Sequence, residues 1–274
     1  MAEIDPQKTD VKTVIEVHDG ALIPNKSNRR ILDSWRVTFG LALLLLAIAL
    51  IAQVKKPNGE VGHLYLEIIQ VVIKGLPVTF EVTIFAIIGS VFIGVFAGLG
   101  QVTRIKIFNL IAGVYVELIR GIPLLVQLIF IYFALGRFLR IEGVLAAIIA
   151  LSICYGAYMG EIFRAGIQAV DTGQMEAALA LGMSHSKAMR KIIFPQTIKI
   201  VLPAIGNEFI AMLKDSSLVS VIALRDVLRR GREYIARTFL SLETMAVVAL
   251  IYLIITLILS RLVAIIEERM KTNG

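Results

Sequence analysis

Glu176-Ala177-Ala178-Leu179-Ala180-Leu181-Gly182-Met183-Ser184-His185-Ser186-Lys187-Ala188-Met189-Arg190-Lys191-Ile192-Ile193-Phe194-Pro195 is a long polar interruption deep inside a strongly apolar sequence. It opens with a compact run of helix formers, Glu176 to Leu181. Gly182 then offers a helix stop, because only glycine takes a left-handed backbone cheaply. Ser184 or Ser186 can cap a second helix, on which Lys187, Arg190 and Lys191 lay a basic face. Pro195 stands at the foot of the next apolar run, where a helix-start proline is tolerated. A short helix of small side chains, held on a loop between apolar runs, suits docking into a groove on a partner protein.

Composition sets the surroundings of that loop. Hydrophobic residues make up 57% of the 274-residue chain, and the mean hydropathy is +0.81. That exceeds what an ordinary soluble domain carries. Several runs approach or exceed the roughly 20 apolar residues a bilayer-spanning helix needs. The net charge of +7 then reads as basic loops facing anionic lipid headgroups rather than a nucleic-acid footprint. A single cysteine, Cys154, excludes an internal disulfide and a cysteine metal cluster.

Taken in order, residues 1–34 are polar and mixed, and read as a cytoplasmic tail rather than a secretory signal. Lys26, Arg29, Arg30 and Arg36 precede the first span, Val37–Val54, and argue for an inside N-terminus. Lys55–Gly59 reads as a turn. The second span is expected within Leu66–Leu99, where Gly94 and Gly98 have the small-xxx-small spacing that lets helices approach closely. The third covers Phe108–Leu135, with a turn at Arg137–Glu142. The fourth covers Gly143–Ile167, the fifth Ile192–Leu213 and the sixth Thr244–Ile266. Asp215–Arg237 reads as a re-entrant or surface segment. Six spans put both termini and the Glu176–Pro195 loop on one side, and the loops of that side hold more Lys and Arg than those of the other. Arg225, Arg229, Arg230, Arg232 and Arg237 on the opposite side weaken the asymmetry.

Three polar clusters interrupt the apolar runs. In Tyr115–Gln127, Glu117 and Arg120 lie one helical turn apart and can pair, while Gly121 and Pro123 permit a kink. Charge at membrane depth is costly and usually faces a bundle interior or a water-filled cavity, so this pair either lines a path or closes one helix on another. Glu161 and Arg164 repeat the spacing, and read as a structural pair just before the loop. In Pro203–Leu218, Glu208 and Asp215 are seven apart and share a helix face; Asn207 and Lys214 share the next. Two carboxylates on one face can hold an ammonium or guanidinium group, and Lys214, Ser216 and Ser217 can meet a carboxylate. Internal neutralisation among these charges is the alternative.

Glu176-Ala177-Ala178, Gly182, Ile192 and Pro195 match the spacing of the EAA motif of ABC importer permeases, with Phe194 where leucine is usual. The runs around Glu117–Gln127, with Ile122 in place of threonine, and Asn207–Leu218, with Ser216 in place of threonine, resemble two further motifs of the polar amino acid (His/Glu/Gln/Arg/opine) permeases. The likeness runs from about Gly75 to Glu268. It implies an all-α integral membrane protein of six transmembrane helices, a five-helix type I importer core plus one N-terminal helix. The expected organisation is a tail at 1–34, an additional helix and connection at 35–74, the core at 75–268 with its EAA loop at 171–195, and a tail at 269–274.

The resemblance further implies that Glu176, Ala177, Ala178 and Gly182 couple to an ATPase. It places Glu117, Gln127, Asn207, Glu208, Lys214, Asp215, Ser216 and Ser217 along the path of a polar amino acid. The implied partners are an ATP-binding cassette ATPase carrying ATP and Mg, an external solute-binding protein, a second permease subunit (identical or homologous) and membrane lipid, with no nucleic acid. The implied location is the bacterial plasma membrane, with both termini cytoplasmic. No cofactor and no metal are expected on this chain, and no Gly-x-x-x-x-Gly-Lys-Ser/Thr loop occurs in it. A membrane enzyme is the poorer reading, since His18, His63 and His185 all fall outside the expected spans. The remaining rival is a permease-like scaffold or sensor that couples to an ATPase and moves no solute.

Overall fold

The computed structural model describes residues 34–55, 61–141 and 143–272, which form two compact units, Met1–Thr38 and Phe39–Gly274. Of the first unit only Ser34–Thr38 are described, and they open helix α1, Ser34–Ile51. The polar tail expected before it lies outside the described residues, as do most of the turn after Lys55 and Glu142 of the turn at Arg137. The helices that follow are α2 (Leu64–Val72), α3 (Leu76–Val102), α4 (Lys106–Gly121), α5 (Leu124–Ala134) and α6 (Gly143–Gln168). Beyond them lie α7 (Thr172–Ala180), α8 (His185–Ala188), α9 (Phe194–Asp215), α10 (Val227–Thr238) and α11 (Ser241–Thr272). Two-residue strands, β1 (Val54–Lys55) and β2 (Val61–Gly62), pair antiparallel between α1 and α2. Helices dominate because a segment in lipid must satisfy its backbone polar groups internally.

Among the described residues, four stretches are long and apolar enough to cross a membrane: Ser34–Ile51, Leu64–Val102, Gly143–Gln168 and Ser241–Met270. The second is 39 residues long, because a short 3₁₀ turn at Ile73–Gly75 joins α2 to α3. A fifth is the pair Lys106–Gly121 and Leu124–Leu139, bent by 111°. The kink expected at Gly121 and Pro123 is thus a full break of the third span. Pro123 supplies no N–H, and Ile122 is extended. The Arg137 turn is instead a π-helical turn, Leu135–Leu139, closed by Arg140 at a φ of 56°. The remaining expected span, Ile192–Leu213, is also a helix, α9. Its 22 residues include Lys199, Glu208, Lys214 and Asp215, which keep it out of the apolar set. Among the described residues, four segments qualify by length and composition, five with the bent pair taken as one span, and α9 stands as a helix at the place of the expected fifth span.

The tightest packing joins α3 to α6. A Cβ on Gly94 would overlap Met159, and one on Gly98 would come within 2.6 Å of the Phe163 Cβ. Gly160 answers from α6, where a Cβ would sit 2.9 Å from that of Ala97. The small-residue spacing read from the sequence is this seam. Beside it, Val82, Ala86, Leu128, Leu151, Met212 and Val219 form a core shared by α3, α5, α6, α9 and the 3₁₀ turn Ser216–Ile222. Phe85, Ile88, Phe92 and Phe96 are exposed on the other side of α3, as expected of a lipid-facing surface.

The arginine-rich stretch folds as a 3₁₀ turn, Ser216–Ile222, followed by a helix. Its helix α10 packs on α2 and α11 through Val227, Ile68, Val72, Val247 and Val248. Glu233 meets Arg229 at 3.3 Å and Arg225 at 3.5 Å. Asp226 caps α10 from a fully buried position, accepting from the backbone N–H groups of Arg229 and Leu228. Tyr252 of α11 donates to the same carboxylate.

The seam predicts a sharp contrast. Gly94→Val forces side chain into the Met159 backbone and should lower the thermal midpoint of the purified protein by several degrees, a cost of about 1–3 kcal/mol or more. Gly113→Ala, which meets open space, should not lower it. Equal midpoints for the two variants would contradict the account. Asp226 predicts a pH dependence. Burial pushes its carboxyl up to about 6, so the fold retains a proton that the unfolded chain releases near 4. Stability should fall as pH rises from about 4 to about 6, and Asp226→Asn should flatten that fall. Parallel melting profiles for variant and parent across this window would refute it.

Candidate functional site

The loop that opened the sequence folds as two helices. Asp171 caps α7, its Oδ1 accepting from the Gly173 N–H at 2.7 Å. The helix stops where it was expected to stop, with Gly182 at a φ of 79°. The Gly182 N–H donates to the Leu179 carbonyl and the Met183 N–H to that of Ala178, the paired bonds of a Schellman end. Of the two candidate caps for α8, Ser184 acts, accepting from the Lys187 N–H. A π-helical turn, Met189–Ile193, then runs without interruption into α9, with Pro195 in its first turn. Pro195 therefore sits inside a continuous helical run, and the wider turn before it falls where its missing N–H would break the regular ladder.

Burial divides the loop into a fixed and a free face. Ala178 is buried, and Met175 packs with Met189 and Ile192 against Ile167, Val170 and Ile193. Leu99 and Val102 of α3 join that cluster. Glu176, Ala177 and Gly182 are exposed, and Leu181 is 83% exposed. The loop is thus anchored to the ends of α3 and α6 while presenting a short apolar and acidic surface outward.

The second feature runs along α6. Tyr155, Tyr158, Glu161, Arg164 and Gln168 follow one another at steps of three or four residues, so each is the neighbour of the next as the series winds around α6. The Tyr155 hydroxyl donates to Asp215 Oδ2 at 2.7 Å. The rings of Tyr155 and Tyr158 are 5.7 Å apart, and the Arg120 guanidinium lies 5.7 Å from the centre of the Tyr158 ring. Arg120 reaches Glu161 at 3.4 Å. Arg164 makes two hydrogen bonds to Glu161 and one to Gln168. Half-buried Glu208 stands in the field of both Asp215 and Arg120. The track therefore sets three carboxylates, of Asp215, Glu208 and Glu161, against two guanidiniums, of Arg120 and Arg164. One negative charge is left over at the Asp215 end.

The expected residues distribute unevenly around this track. Glu208 and Asp215 do share a face. Glu161 and Arg164 pair at 2.7 Å as their spacing indicated. Arg120 crosses to α6 instead of meeting Glu117, which is exposed and has no cation partner among the described residues. Asn207 and Lys214 are exposed, and Ser217 is half-buried. Ser216 is buried, with its hydroxyl donating to the Leu213 carbonyl at 2.7 Å. Gln127 is buried, and its amide nitrogen donates to the Ile119 and Ile122 carbonyls at the broken end of α4. Tyr155 was not singled out from the sequence. Its only signal there is the three-residue step to Tyr158.

Residues 90–272 match the family described as the binding-protein-dependent transport system inner membrane component. The chain belongs to that family. This permease is 38% identical over 204 residues to the arginine transport system permease protein ArtQ of Bacillus subtilis (strain 168), covering 74% of this chain and 93% of that one. It is 40% identical over 206 residues to the glutamine transport system permease protein GlnP of Escherichia coli (strain K12), covering 74% and 94%. Its fold superposes on a crystal structure of an amino acid ABC transporter with histidines, with a TM-score of 0.69, 44% identity and coverage of 74% and 96%. A methionine ABC transporter structure, MetNI, shares the fold at a TM-score of 0.66 and 18% identity. The permease is accordingly a multi-pass membrane subunit of an ABC importer, a translocation component rather than an enzyme. Membership implies an ATPase, a binding protein and a second permease subunit as partners.

The glycine end of α7 gives a local prediction. Gly182→Val pays about 1–2 kcal/mol for the left-handed backbone, which Asn tolerates. Amide exchange across residues 176–183 should rise about 5–30-fold in the valine variant and stay near the parent in Gly182→Asn. Equal protection in both variants would remove the Schellman end as what holds the loop.

Proposed function

We propose that this permease carries a polar amino acid, with a preference for a cationic side chain, and that the solute binds at the Asp215 end of the α6 track. The observation that carries the reading is the unbalanced charge there. Asp215 accepts from the Tyr155 hydroxyl, Glu208 two turns before it on α9 feels its charge, and the guanidinium whose field reaches Glu208, Arg120, is already shared with Glu161. A charge inside a membrane protein stays only if something neutralises it, and a guanidinium or ammonium group of a solute supplies what is missing. Every amino acid brings an α-ammonium; an arginine- or lysine-like solute brings a second cation for the second carboxylate. The likeness to an arginine and a glutamine permease agrees with that range. Around this pair, Asn207, Lys214, Ser217 and Glu117 are the other polar groups assigned to the path, while Gln127 and Ser216 hold its backbone.

In this reading Glu176, Ala177, Ala178 and Gly182 form the surface gripped by a separate ATPase, which holds ATP and Mg. The loop and both termini face the cytoplasm of a bacterial cell, and an external binding protein delivers the solute from the other side. ATP binding draws two such ATPases together, and α7 moves with them. Because α7 is locked to the ends of α3 and α6 through Ile167, Val170, Leu99 and Val102, the seam and its track move as one body. The solute site then changes the side to which it opens. ATP and solute shift the same equilibrium by preferring different states.

Uptake into liposomes holding the permease with its ATPase and binding protein tests the reading. Arginine or another cationic amino acid should accumulate in an ATP-dependent way, and Asp215→Asn should weaken its apparent affinity about tenfold, the loss of one charged hydrogen bond. ATP turnover without uptake of any amino acid would instead make the permease a scaffold. Unchanged affinity in Asp215→Asn would move the site off the track.

A further inference from the structure

Two neighbouring hollows on the permease are left out of the transport path. The first is a groove of about 600 Å³ between α3 and α4, lined by Phe92, Phe96, Phe108, Ile111 and other apolar residues. The second, of about 640 Å³, lies where the end of α3 meets α8 and the π turn. Arg104, His185, Ser186 and Arg190 line it above an apolar floor of Val102, Met189 and Phe194. Leu99 and Thr103 belong to both, so the two form one continuous channel, apolar at one end and basic at the other. Among the described residues no carboxylate lies within 4 Å of Arg104 or Arg190, and both are exposed. The groove follows α3 from Phe92 to Thr103, about 16 Å of helix. That is about half the ~30 Å hydrocarbon core, the depth of one leaflet.

We propose that this channel binds an anionic phospholipid, with an acyl chain in the α3–α4 groove and the phosphate among Arg104, His185, Ser186 and Arg190. The shape and charge fit no other ligand class as well. A free anion leaves the apolar groove empty, and a zwitterionic lipid, whose ammonium offsets its own phosphate, answers two guanidiniums less well than a lipid of net negative charge. The site has a mechanical consequence. Its floor includes Val102 and Met189, which belong to the same cluster that anchors α7. A bound lipid therefore braces the loop against the seam. The proposal rests on the transport reading only for which leaflet supplies the lipid.

The test uses the full-length permease, purified without its ATPase and delipidated, with native mass spectrometry to count retained lipid. The parent should take up phosphatidylglycerol at least tenfold more readily than phosphatidylcholine of the same chains. The double variant Arg104→Gln, Arg190→Gln should lose that preference. Ile111→Trp, which fills the groove, should weaken both lipids. Inorganic phosphate alone should bind far more weakly than phosphatidylglycerol. Phosphate binding as tight as the lipid, or full preference in the double variant, would overturn the proposal. So would a double variant that keeps its lipid but no longer assembles with the ATPase, since the basic face would then belong to that interface. Because no transport enters the measurement, a permease that retains the lipid but moves no solute would sink the functional reading alone. One that moves solute without retaining lipid would sink only this proposal.

Discussion

The absence of side chains along the α3–α6 seam is the constraint on which the rest depends. In lipid there is little hydrophobic force between helices, so association relies on close van der Waals contact. Gly94 and Gly98 permit that contact by leaving no Cβ between α3 and the backbone of α6. Most of α6 is consequently buried, from Ala146 to Ile167. A helix so enclosed can afford a polar face only if that face is neutralised by neighbours, and α4 and α9 supply the neighbours through Arg120 and Asp215.

Neutralisation proceeds as a chain rather than as isolated pairs. Tyr155, Tyr158, Glu161 and Arg164 each contact the next group along α6 or a side chain brought to it. This is why Arg120 abandons Glu117. A guanidinium above the Tyr158 ring and 3.4 Å from Glu161 gains two partners on a less exposed surface, whereas Glu117 on its own helix faces outward. The broken third span serves the same end. Gln127 ties off two of the carbonyls freed at the 111° bend, those of Ile119 and Ile122.

Local features were legible in the sequence; contacts across helices were not. The stop at Gly182, the cap choice narrowed to two serines, and the close approach at Gly94 and Gly98 follow from backbone chemistry within a few residues. The Glu161–Arg164 pair follows from helix spacing alone. The Arg120–Glu161 and Tyr155–Asp215 contacts join residues 41 and 60 positions apart, and no periodicity encodes such pairings. The same limit applies to α9. Its charges made it look like a polar helix with two carboxylates on one face, and that face was correct, but which neighbour receives it depends on packing. The stretch after Asp215 shows the limit again: its arginines gave it a surface or re-entrant character, but that Val227 and Asp226 would anchor it on α2 and α11 is a contact across helices that composition does not encode.

A transport subunit needs a stiff link between the place where a motor pulls and the place where a solute sits. In the proposed function that link is one helix. The 26 residues of α6 end at Gln168, three positions before the Asp171 cap of α7, and its middle carries Tyr155. The loop end and the middle are held differently. The loop end is fixed by apolar packing, which is short-ranged and tolerates little displacement. The middle is tied by the Tyr155 hydrogen bond to a carboxylate whose charge is felt by a second carboxylate, an arrangement that a cation can reorganise at small cost in contact area. A rod clamped by packing at its end and by exchangeable charge at its middle transmits force from the clamp to the charge. That asymmetry, more than any single residue, suits α6 to coupling the α7 loop to the proposed solute site.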